Sequence, residues 1–221
     1  RNPLTAMDIV MNPDRSQWAA LCQRNIPNDD AIEQSVREIM DNVKQNGDTA
    51  LRDYIARFDH FTGPLAPLSE AEIAEGASKV SPEVADAIRR AADNIAKFHS
   101  AQLHPDVDIE TMPGIRCVQR PVPIQRVGLY IPGGQAPLFS TVLMLAIPAR
   151  IAGCAEVILA TPASDEHPIA PEILFAAKLC GVGRIFRMGG AQAIAAMAFG
   201  TESVPRVHKI FGPGNRFVTK A

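Results

Sequence analysis

The feature that most constrains this chain is the alternation that begins at Val127. Short runs of β-formers are separated by alanine-rich helical runs, with glycine at most of the junctions. Val127–Ile131 reads as a strand, followed by Pro132-Gly133-Gly134 and a helix from about Leu138 to Ala152 that Gly153 ends. Glu156–Ala160 is a second strand, broken by Thr161-Pro162, and a helix near Pro171–Cys180 is ended by Gly181. Arg184–Arg187 is a third strand, followed by Gly189-Gly190 and a helix over Ala191–Ala198. Val207–Phe211 is a fourth, and Gly212-Pro213-Gly214-Asn215 leads into the start of a further helix. A helix between successive strands supplies the residues, about a dozen, that a parallel crossover needs, so these strands should pair in parallel. With right-handed crossovers the carboxyl ends of the strands gather on one edge of the sheet, where open α/β sheets bind ligands.

Three of the four loops on that edge are glycine-rich, and each feeds a helix N-terminus. Glycine lets a ligand approach the backbone closely, and the free N–H groups of a first helical turn favour an anion. One such loop is an ordinary tight turn as readily as a ligand site; three on one edge point to a phosphate-bearing ligand. The conventional dinucleotide fingerprint G-x-G-x-x-G is missing. Gly181-Val182-Gly183 is followed by Phe186, and Gly212-Pro213-Gly214 by Phe217, where the third glycine should stand. The residues alone therefore reach a nucleotide- or phosphate-binding α/β domain and stop there.

The first half has a different texture. Asp29 and Asp30 precede apolar residues at helical spacing (Ile32, Val36, Ile39, Val43), and Asn46-Gly47 supplies the stop. Asp48 caps a second helix with Leu51, Tyr54, Ile55 and Phe58 on its apolar face; Gly63-Pro64 and Pro67 then break the chain. Ser69 with Glu72 forms a capping box. Ser81 as N-cap and Pro82 at the first helical position open a helix striped by Val84, Ile88, Ala91, Ile95 and Phe98. Val107–Val118 reads as a β-hairpin about Pro113-Gly114, a type II turn. The expected fold is α/β: a mainly helical region with a hairpin over 1–125, part of a first domain, then a Rossmann-like parallel sheet of βαβ units over 126–221. That second domain is expected to be incomplete at the C-terminus, because its last helix has barely begun at Ala221.

Composition removes several classes of function. The net charge is −2, and no cluster of Lys and Arg exists that could track a phosphate backbone, so no nucleic-acid partner is expected. The most apolar stretch, Val142–Ala160, is interrupted by Pro148, Arg150 and Glu156, and the segment Arg1–Leu4 opens no apolar signal region; no membrane segment is expected. Four scattered cysteines (Cys22, Cys117, Cys154, Cys180) without a C-x-x-C pair read as reduced thiols in a cytoplasmic protein. The histidines, His60, His99, His104, His167 and His208, show no metal-ligand spacing; His99 and His104 belong on a solvated helix face, and His208 reads as structural.

Val127–Val142 closely resembles the corresponding segment of histidinol dehydrogenases, as do Pro148–Cys154, Gly189–Ala195, Ala198–Pro205 and Lys209–Asn215. The matches are co-linear and extend back through Gly47-Asp48 and Asp41–Lys44 to about residue 30; the first 25 residues resemble the family only loosely. The resemblance implies the N-terminal half of a zinc-dependent enzyme of histidine biosynthesis, an intertwined homodimer that oxidises L-histidinol to L-histidine in two NAD-linked steps through an aldehyde. It implies that Tyr130, Gln192 and Asn215 contact NAD. It places the zinc ligands and the acid/base pair beyond residue 221, so no catalytic and no metal-binding residue is expected here, and the chain alone is expected to be inactive. Plain structural roles stay open for Tyr130 in the core and for Asn215 as an N-cap. Open too are a related dehydrogenase for another small alcohol, a non-catalytic nucleotide-binding module, and thiol chemistry at Cys154, although Cys154 falls at the edge opposite the ligand loops.

Overall fold

The computed structural model describes residues 9–23, 30–134 and 136–221, and the chain divides into two compact units, 1–30 and 31–221. In the first, the short helix α1 (Arg15–Cys22) is entered through Asp14, whose N–H donates to the Gln17 side chain at 3.1 Å. Trp18 Nε1 donates to the Pro13 carbonyl at 3.0 Å.

All but the first residue of α2 (Asp30–Tyr54) lies in the second unit, and the helix breaks at Gly47 with φ 50° and ψ −130°, at the stop expected at Asn46-Gly47. Asp29, expected to help start this helix, lies outside the described residues. The buried face is Val36, Ile39, Val43, Leu51 and, in the π-helical turn Ile55–Asp59 that follows, Ile55; Phe58 is exposed. The carboxylate of Asp48 is engaged by the backbone N–H and hydroxyl of Ser203, which ties the middle of α2 to a loop far along the chain. Helix α3 (Glu70–Ser78) begins with the expected capping box: Ser69 N–H donates to Glu72 Oε2 at 2.8 Å, and Glu72 N–H to Ser69 Oγ at 3.2 Å. Helix α4 (Pro82–Ser100) starts at the Ser81 cap with Pro82 in its first turn. Its buried face is Ala85, Ile88 and Ala92. The expected stripe is rotated, because the small alanines turn inward where α4 packs on the sheet-covering helices, leaving Val84 and Phe98 exposed.

Strands β1 (Val107–Met112) and β2 (Ile115–Gln119) form the expected antiparallel hairpin, with Gly114 at φ 83° as a type II turn requires. The remainder is strand and helix in strict alternation: β3 (Arg126–Tyr130), α5 (Phe139–Ile151), β4 (Glu156–Thr161), α6 (Pro171–Leu179), β5 (Arg184–Arg187), α7 (Gly190–Phe199), β6 (Lys209–Phe211) and α8 (Arg216–Lys220). Strand β6 starts later than the sequence suggests. Val207 N–H is drawn to the carbonyl of Met197 at the end of α7, and His208 Nδ1 accepts from Arg126 N–H at 3.2 Å.

The three strand pairs of this four-stranded sheet are parallel, in the order β5-β4-β3-β6. The chain thus builds outward from β3 in one direction, then returns to add β6 on its other side. Side chains alternate between the faces, as the pleat requires. Leu129, Leu159 and Ile185 point into a core shared with α3, α4, α5 and α6. Tyr130, Ile158, Ala160 and Phe186 point into a second core shared with α2 and α7. Burial on both faces explains why these strands read as continuous apolar runs. Among the described residues, no helix is long and apolar enough to cross a membrane.

Candidate functional site

The order of strands reverses between β3 and β6, and the carboxyl ends of two strands that flank such a reversal frame a crevice. Tyr130 is the last residue of β3, and Asn215 follows β6 as the cap of α8. Gln192 lies in the first turn of α7. These three residues line one cavity of about 660 Å³, together with Asp59, Pro132, Gly133, Pro162, Gly190 and Phe217. An adjoining cavity of about 410 Å³ shares Asp59, Pro132, Gly133 and Pro162, and continues past Thr161, Ser164 and His167. The chain leaving β6 lies close against the end of β3: a Cβ on Gly212 would collide with the carbonyl oxygen of Tyr130.

Tyr130 is 3 % exposed, and its hydroxyl accepts from Gly190 N–H at 3.0 Å. Burial pushes the phenol above its ordinary pKa, against the Gly190 hydrogen bond and with the help of the nearby Asp59 charge. Gln192 is 2 % exposed, and its Nε2 donates to Asp59 Oδ2 at 3.3 Å. The same oxygen accepts from Gly189 N–H at 2.9 Å. Burial raises the Asp59 carboxyl, while these two donors and His60 hold it down. Asn215 Oδ1 accepts from Val218 N–H at 3.1 Å. Both structural roles left open by the sequence are therefore present: Tyr130 sits in the core and Asn215 caps a helix, and each also faces the cavity.

The Gly189-Gly190 loop departs from the expectation of N–H groups free for an anion: Gly189 N–H goes to Asp59 and Gly190 N–H to Tyr130. A phosphate would have to displace protein groups there. Sequence reasoning gave Asp59 no role, because it belongs to no local motif and its partners, Gly189 and Gln192, lie 130 and 133 residues further along the chain. Cys154 lies just before β4, at the amino edge and away from the cavity, and burial raises its thiol pKa. Both facts weigh against a nucleophilic role. Among the described residues, no group of three or more His, Cys, Asp or Glu side chains is arranged to hold a metal ion.

Fold and site together define an open parallel α/β protein with a cleft where its strand order reverses. The chain belongs to the histidinol dehydrogenase family, whose model matches residues 22–221. It is 57% identical over 205 residues to the histidinol dehydrogenase of Salmonella typhimurium, covering 93% of this chain and 46% of that protein. The enzyme of Escherichia coli K12 is 58% identical over 192 residues, covering 87% and 43%. The crystal structure of histidinol dehydrogenase from Elizabethkingia anophelis superposes with a TM-score of 0.88 at 44% identity, over 94% of this chain and 48% of that one. The chain spans about half the length of the curated relatives it matches.

Proposed function

We propose that this chain provides the NAD site of a zinc-dependent histidinol dehydrogenase, a cytoplasmic homodimer that oxidises L-histidinol to L-histidine through an aldehyde. The observation that carries this reading is the convergence of Tyr130, Gln192 and Asn215 on one cavity at the β3/β6 reversal. Two adjoining cavities, with the shared wall Asp59, Pro132, Gly133 and Pro162, suit a ligand with two connected halves. Residues 126–221 form the NAD-binding part of this reading, and 1–125 belong to a first domain.

When bound, NAD would supply the hydride acceptor for the oxidation chemistry. The contribution of this chain is to bind and orient. Tyr130 offers a ring edge and a hydroxyl anchored on Gly190 N–H; Gln192 offers an amide anchored on Asp59. Asn215, exposed at the rim, is free to present its side-chain Nδ2 while Oδ1 caps α8. The described residues offer zinc no ligand set, so no proton or metal step is assigned to them. The 221-residue chain by itself is accordingly proposed to be inactive.

The test is NADH formation by the full-length protein supplied with L-histidinol, NAD and zinc, beside NAD titration of the Gln192→Leu variant. Turnover with weakened NAD binding in the variant is the expected result. No turnover, or unaltered NAD affinity in the variant, would reject the reading.

A further inference from the structure

Asp59 settles which way round the Gln192 amide sits. An ionised carboxylate only accepts hydrogen bonds, whereas a side-chain amide has a donor end and an acceptor end of nearly equal size. Asp59 Oδ2 already accepts from Gly189 N–H at 2.9 Å and from Gln192 Nε2 at 3.3 Å. If the amide turned over, its oxygen would face the carboxylate in a buried setting, two acceptors with no proton between them, which costs heavily where water is excluded. The other end of the amide is therefore fixed. Gln192 Oε1 lies beside Gly190, where a Cβ would come within 2.6 Å of it, on the wall of the larger cavity. None of the described residues donates to that oxygen.

We infer that Gln192 meets its ligand as a hydrogen-bond acceptor, held so by Asp59 as a positioning residue, and that the ligand group bound there is a donor. This rests on the NAD reading of the site, and it narrows it. A phosphate oxygen cannot be the partner, because it has no proton to give at neutral pH. Within a nicotinamide dinucleotide the donors are the ribose hydroxyls, the carboxamide N–H and the adenine amino group. The occupied Gly189 and Gly190 N–H groups agree with this: the first two N–H groups at the α7 terminus already serve Asp59 and Tyr130.

The experiment is a double-mutant cycle on NAD affinity in the full-length protein, with Asp59→Ala, Gln192→Leu and the pair. Gly189 N–H and Gln192 Nε2 both donate to Asp59 Oδ2, so alanine removes the acceptor that holds the amide and leaves it free to turn its donor end toward a donor. Binding is expected to weaken about tenfold, the scale of a buried hydrogen bond lost. The sign is diagnostic, because removing a negative charge near an anionic ligand would by itself tighten binding. In the Gln192→Leu background, Asp59→Ala should no longer weaken binding. Equal losses in both backgrounds, or unchanged or tighter NAD binding in Asp59→Ala alone, would overturn the inference while leaving the NAD site standing. Failure of the unaltered protein to bind NAD would overturn both. The donors are told apart with ADP-ribose, with the acetylpyridine analogue of NAD, which lacks the carboxamide N–H, and with the hypoxanthine analogue, which lacks the adenine amino group. A carboxamide partner leaves ADP-ribose insensitive to Asp59→Ala and makes the acetylpyridine analogue bind weakly. A ribose or adenine partner makes ADP-ribose sensitive, and of these only an adenine partner makes the hypoxanthine analogue bind weakly. Insensitivity to Asp59→Ala of ADP-ribose and of NAD together would count against all three.

Discussion

Gly212 shows how much of the site depends on a missing side chain. The backbone there lies so close to the Tyr130 carbonyl that any Cβ would strike it, and the contact sets the spacing between the ends of β3 and β6. Gly212→Ala should cost about 1–3 kcal/mol by overpacking, read by chemical denaturation, and should weaken NAD binding as the rim opens. The thiols give a second check. Burial pushes Cys180 up to about 11, whereas Cys22 and Cys117 are exposed. At mildly alkaline pH a thiol reagent should modify Cys22 and Cys117 quickly and reach Cys180 only on unfolding; rapid labelling of Cys180 in the native protein would contradict its burial. Tyr130, Gln192 and Asn215 could be found in the sequence because each sits in a long ordered segment that resembles the family. Asp59 could not, since what makes it matter is a tertiary contact with Gly189 and Gln192, and nothing around it in the chain announces that.

Elements are held by devices of two kinds, local and long-range, and Glu72 belongs to both. It completes the capping box of α3 with Ser69 and also pairs with Arg187 on β5 at 2.6 Å. The Ser69 N–H first, then the Arg187 guanidinium, lower its carboxyl from 4.5 to about 2. A depressed carboxyl contributes stability that is fully present above its unfolded value and is lost as pH falls through its folded one. Glu72→Gln should therefore be less stable than the unaltered protein at neutral pH, with the difference closing between pH 4.5 and about 2. Glu72 is solvent-exposed, so the neutral-pH difference should stay at or below about 1 kcal/mol. A difference independent of pH would show that charge is not the cause. The capping box was legible because its spacing is local. The Arg187 pairing was not, and neither was the inward face of α4, because which side of a helix is buried depends on the neighbours it meets.

At the scale of the molecule, the sheet is covered on both faces, and its central strands carry fully buried side chains such as Leu129, Ile158 and Leu159. Leu159→Ala should cost about 2–5 kcal/mol, as large-to-small changes in a packed core do, measured as a shift of the denaturation midpoint. Parallel pairing and a common carboxyl rim followed from the alternation of strands and helices. The strand order did not, because alternation is equally compatible with other orders; the return of β6 to the far side of β3 is decided by packing, including the seating of Val207 against α7. Likewise the tie between Asp48 and Ser203 spans most of the chain and leaves no local pattern. The central claim is that the β3/β6 reversal brings Tyr130, Gln192 and Asn215 together as one NAD site, and a crystal structure of the full-length protein with NAD tests it most directly. NAD in the cavity of about 660 Å³, within hydrogen-bonding distance of all three side chains, is the predicted result. NAD seated elsewhere, with these three side chains untouched, would contradict it.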